Sequence, residues 1–112
     1  MTTNVGLSAA AMRFLNSSVG SIEKLEVVVA LARAAERSSS IVDLARETRL
    51  PPAITRRITG EMQRARVVEV TSRGEVRLYP RDASDRAAVE EVLDLHQRYP
   101  ALLMRFLAGV RS

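Results

Sequence analysis

The sequence predicts a mainly helical α+β fold, six helices gathered around one small antiparallel hairpin. Three observations predict it. Apolar residues recur at helical spacing in six separate stretches of the 112-residue chain. Residues 67–79 alone change to a two-residue alternation, around Ser72-Arg73-Gly74. Aromatics are 4% of the chain and Trp is absent, so Val, Leu, Ile and Ala must form the core, which suits helices packed on helices or on a small sheet. The length fits one domain over residues 1–112, and the balance of 46% hydrophobic to 27% charged residues is that of a folded chain.

Each element has a local reason. Met1–Gly6 is polar and expected to fray. Leu7–Leu15 carries Leu7, Ala10, Ala11, Phe14 and Leu15 on one stripe, but is too short to stand without docking. After a break at 16–20, Ser21 can cap a helix over Ile22–Arg37 that is apolar nearly all round, and so should lie centrally. Ser38-Ser39-Ser40 reads as the next break. Ser40 followed three residues later by Asp43 resembles a capping box for a short helix, Ile41–Thr48. Pro51 and Pro52 cannot prolong that helix but suit the start of another, Pro52–Ala65. Val67–Thr71 and Glu75–Tyr79 then form a hairpin, with Gly74 supplying a positive φ and Val76 and Leu78 facing inward. Asp82 or Ser84 caps a helix over Asp85–Gln97, and Pro100 opens a last helix to Ala108 with Gly109 as its stop.

Several function classes are excluded at this level. Without cysteine there are no disulfides, thiolate sites or cysteine nucleophiles, and the natural compartment is cytoplasmic. His96 is the only histidine, so no histidine cluster holds a metal; on an apolar stripe it reads as a core or interface residue. No basic-then-apolar leader opens the chain and no apolar run approaches the roughly 20 residues that span a bilayer. No phosphate loop, metal constellation or nucleophile–base pair is present, so no catalytic residue, cofactor or metal ligand is predicted. Glu90 and Glu91 are helix neighbours that diverge, a solvated face and not an acid–base pair.

The charge is unevenly placed. The formal net charge is +4. From Arg49 to Arg81 there are eight arginines against three acids, an excess of five, while the remainder is close to neutral. An excess confined to one segment marks a polyanion-binding face better than an evenly basic chain does.

The stretch DLARETRLPPAITRRITGEMQRARVVEV, Asp43–Val70, resembles winged helix-turn-helix regulators of the MarR-like and IclR-like kind. Ala45 stands at the small position of the motif's first helix and Leu50 at the apolar position after the turn. Ile58 and Met62 stand at apolar positions of the recognition helix, and Val67-Val68 open the wing. The segment Ser21–Leu31 looks like the opening helix of small bacterial winged-helix proteins of about this length. The resemblance implies a winged-helix core over residues 21–80 with a two-stranded wing. Terminal helices at 7–15 and 84–110 are added to that core. Four residues depart from the pattern: Arg49 and Arg66 stand where glycine is usual, Thr55 where Val or Ile is, and Gly60 lies within the recognition helix.

In such proteins the second helix of the motif enters the major groove and the wing touches backbone. That implies double-stranded DNA as partner and a small transcriptional regulator, not an enzyme, as function. Arg56 and Gln63, central on the outer arc of Pro52–Ala65, are expected to contact bases. Thr55, Arg57, Thr59, Arg64 and Arg73 are expected on phosphates. Arginines also simply solvate a helix, and Arg57 with Glu61 is an i,i+4 pair. Gly60 reads equally as a place of close DNA approach and as a weak point in the helix. Two apolar terminal helices beside a core of some 60 residues point to a homodimer, or else fold back on their own chain. The alternative function is a winged-helix interaction module that binds a protein partner and no DNA.

Overall fold

The structure is a computed structural model that describes residues 7–80 and 82–110, the Val110 side chain excepted. The polar start at residues 1–6 and Arg81 of the basic segment lie outside the described residues. Its axis is the helix α2 (Ile22–Arg33); helix α1 (Ala9–Arg13) precedes it. The Ser21 hydroxyl accepts the Lys24 N–H at 3.2 Å and so caps α2. Leu25, Val27, Val28, Val29 and Leu31 are buried on more than one side of it, as an all-round apolar helix requires.

α2 ends four residues sooner than its composition suggests. Glu36 and Arg37 both take φ +55° in a left-handed turn. That turn delivers the chain into β1 (Ser38–Ser40), where the sequence predicts only a break. The strands β2 (Val68–Val70) and β3 (Glu75–Leu78) form the expected hairpin. β1 pairs antiparallel with the other side of β3, Ser38 opposite Arg77, and the order is β1-β3-β2. The sheet therefore has three strands, not two. Three serines carry no strand propensity and no alternation; the partner strand makes the pairing, a tertiary effect. Val76 and Leu78 face the core and Arg77 faces out, as alternation predicts.

Ser40 ends β1 and caps α3 (Ile41–Thr48), its hydroxyl accepting the Asp43 N–H at 3.1 Å. Asp43 does not reach back to close a capping box; its carboxylate accepts from Arg46 at 3.1 Å. Arg49 takes the left-handed conformation, φ +61°, and lets Leu50 N–H close on the Ala45 carbonyl at 3.1 Å. After Pro51 comes α4 (Pro52–Arg64), and after α4 a third left-handed arginine, Arg66 at φ +65°, which with Arg49 brackets the helix. Both occupy the positions where the resemblance places glycine. A side chain held there costs about 1 kcal/mol or more relative to glycine.

The termini fold back on the same chain. α1 widens into a π turn, Phe14–Val19, closed by Gly20 at φ +78°. α5 (Ala83–Arg98) and α6 (Pro100–Val110) complete the fold. Ala11, Phe14, Leu15, Leu103 and Leu107 are buried in the same cluster as α2. Most of the apolar surface that suggested pairing between chains is thus consumed within one. α6 runs through Gly109, which is not its stop. The Glu90-Glu91 face of α5 is also not simply solvated. Glu91 accepts both the Ser8 N–H and the Ser8 hydroxyl at 2.7 Å, and Glu90 accepts from Arg37 at 2.7 Å. Among the described residues no helix is long and apolar enough to cross a membrane.

Candidate nucleic-acid interface

α4 packs on α2, α3 and β2, so its inner arc is fixed from three sides. That arc is Thr55, Ile58, Thr59 and Met62, with Ile54 and Ala65 only half-buried. It is rotated about 50° from the stripe that apolar residues alone define. The two threonines cause the rotation. The Thr55 hydroxyl donates to the Pro51 carbonyl at 3.0 Å, and the Thr59 hydroxyl donates to the Arg56 carbonyl at 3.1 Å. With the hydroxyl satisfied by the previous turn, the rest of the side chain enters the core without an unpaired polar atom. Thr55 is 0% exposed and Thr59 2%. Neither belongs to the outer face, so both are corrected from phosphate contacts to core residues.

The rotation moves the centre of the outer face from Arg56 and Gln63 toward Gly60 and Arg64. Arg56, Arg57, Gln63 and Arg64 are all exposed. None of their side chains makes a hydrogen bond or ion pair with another described residue. The predicted Arg57–Glu61 pair is replaced: the Glu61 carboxylate binds Lys24 of α2 at 2.9 Å. The hydrogen bond from Lys24 and its charge hold the Glu61 carboxyl below the usual carboxylate range, with Arg57 and Arg64 adding to the effect. The one acid of α4 is thereby engaged from the side of α2, and its arginines keep their charge uncompensated by close pairing.

Gly60 lies in the middle of this face. A Cβ built there meets nothing within 4 Å. No contact inside the chain demands glycine at this point, so the open strip along α4 is a property of the outer surface.

The tip of the β2–β3 hairpin is shaped by Thr71. Its hydroxyl accepts the N–H groups of Arg73 at 3.3 Å and Glu75 at 3.2 Å. Gly74, at φ +81°, donates to the Thr71 carbonyl at 2.9 Å. Arg73 stands exposed at the tip without a side-chain partner among the described residues. Arg77 differs: it lies 5.7 Å from the Tyr79 ring centre and 3.9 Å from Glu69 across the hairpin.

Of the seven residues the sequence selects, five stay on the surface: Arg56, Arg57, Gln63 and Arg64 on α4 and Arg73 on the β2–β3 hairpin. Two exposed arginines escape that selection, Arg49 and Arg66 at the two ends of α4. Their one signal in the sequence is that each stands in a glycine position. On the far side of the molecule, His96 borders a groove between α2 and α5 with Arg33, Arg37 and Leu93. Among the described residues no group of three or more His, Cys, Asp or Glu is placed to hold a metal. No protein-family model matches the chain, and neither does a curated protein or a solved structure.

Proposed function

We propose that this protein is a winged helix-turn-helix that binds duplex DNA with the outer face of α4 and the tip of the β2–β3 wing, acting as a small transcriptional regulator. The observation that carries the reading is the set of exposed, unpartnered arginines on α4, with Gln63 among them. The order α2, β1, α3, α4, β2, β3 supports it, because it sets a hairpin beside the second helix of a helix-turn-helix. Arg64, nearest the centre of the outer face, would meet the groove with Arg56, Arg57 and Gln63 beside it, and Arg73 would hold phosphate. Two chains related by a two-fold axis would place two α4 helices about 34–36 Å apart, one helical turn of DNA. With Leu103 and Leu107 buried internally, such a pair would have to use what the termini leave exposed, chiefly Met12 and Tyr99.

The test is a titration of duplex DNA across salt. Each phosphate contacted contributes about −0.9 to the slope of log affinity against log salt. Replacing Arg56→Ala and Arg57→Ala together should lower affinity roughly 10- to 100-fold. Binding that ignores salt, or that survives both substitutions unchanged, sinks the reading. Retention of a stoichiometric protein partner with no DNA held at physiological salt would establish the interaction-module alternative instead.

A further inference from the structure

Among the described residues four non-glycine residues stand at positive φ: Glu36, Arg37, Arg49 and Arg66. Glu36 and Arg37 form one turn, and the Arg37 guanidinium is used there, bound to Glu90 at 2.7 Å. Arg49 and Arg66 have no such use. Both are exposed, and neither side chain bonds to any described residue. Glycine would take either conformation without strain, so a guanidinium at these points works against the fold. Local strain of this kind clusters at ligand clamps and other functional sites.

Their positions say what that is. Arg49 precedes α4 by three residues and Arg66 follows it by two. α4 has 13 residues, about 20 Å at 1.5 Å per residue. The major groove is about 12 Å wide. A helix of that length lying in or across the groove brings its two ends over the bordering strands. Arg66 also borders one surface depression with Gln63, beside Glu69 and Tyr79 of the hairpin. We infer that Arg49 and Arg66 are phosphate clamps, one at each end of α4, gripping the two strands that border the groove. The inference rests on the DNA-binding reading above and adds two contacts to it.

Glycine substitution gives an unusually clean test, because Arg49→Gly and Arg66→Gly relieve backbone strain and do not threaten folding. The full chain and the double variant are titrated against a mixed-sequence duplex of about three helical turns, at several salt concentrations. The double variant should keep or raise the thermal midpoint. It should bind about tenfold more weakly or worse at low salt, with the salt slope reduced by about 2. The companion Arg49→Lys with Arg66→Lys keeps the charge and should keep the slope. An unaltered chain that binds with salt dependence, beside a glycine variant of equal affinity and slope, overturns this inference alone. An unaltered chain that shows no salt-dependent binding overturns the DNA-binding reading and this inference with it.

Discussion

On α5, Glu90 holds Arg37, Glu91 holds Ser8, and Asp94 lies 3.5 Å from Arg98. On α4, the side chains of Arg56, Arg57 and Arg64 make no hydrogen bond or ion pair with another described residue. Both helices turn charge to the solvent, α5 with six Asp, Glu or Arg among 16 residues and α4 with four among 13. The difference lies in where each charge finds its counterpart. α5 ties the N-terminal helix and the start of β1 to the body of the protein, so its carboxylates are fasteners. The arginines of α4 have no such counterpart among the described residues, which is what the proposed DNA contact draws on. Partnering, more than charge density, separates a surface that assembles the fold from one that can meet another molecule.

The largest effect that would break this comparison is on α5. Glu90→Ala with Glu91→Ala removes two exposed attachments, one of them a carboxylate with two short hydrogen bonds. It should cost about 1–2 kcal/mol, a fall of roughly 4–8 °C in the thermal midpoint. Duplex affinity should not change. A variant of unaltered stability that binds DNA less well would erase the distinction between the two faces. Next in size is Gly60→Ala on α4. The open space at Gly60 lets alanine add about 1 kcal/mol of helix stability. If the glycine serves close approach, affinity falls while stability rises; if affinity is untouched, Gly60 is only a soft point in the helix. The smallest effect concerns Lys24 and Glu61. The Glu61 carboxyl is lowered in the folded protein, so its contribution is present above the ordinary carboxylate range, near 4.3. It is lost as the pH falls through the lower folded value. Lys24→Met should therefore cost under about 1 kcal/mol at neutral pH, for a pair this exposed. The gap from the unaltered chain should close in acid. A gap that stays constant down to the acid limit would mean that Lys24 acts through packing and not through charge.

Much of the fold is legible in the sequence because local signals agree there. Ser21 and Ser40 cap the helices they precede, Pro51 and Pro52 set the turn, and Gly74 sets the hairpin. What escapes are residues whose chemical type misleads about their environment. Thr55 and Thr59 are polar by type, but a bond to the preceding turn hides the hydroxyl and lets them enter the core. Ser38–Ser40 looks like punctuation because its strand depends on β3, far along the chain. Glu61 looks paired along its own helix, but Lys24 approaches from another one. Five of the seven residues selected for the candidate site are exposed, since an outer arc follows from periodicity alone. The two that are not, and the two arginines the selection lacks, turn on hydroxyl bonding and on φ, neither of which a residue's letter reveals.

Ser40 closes β1 against Glu75 and caps α3 within one residue. The β2–β3 hairpin closes over a short loop, but β1 reaches β3 across nearly 40 positions, Ser38 to Arg77. Closing that loop costs more chain entropy than closing the hairpin, so β1 is expected to dock after the hairpin has formed. Ser40 is then the residue at which a slow, long-range event and a fast, local one meet. The pairing of β1 and the capping of α3 therefore share a single residue.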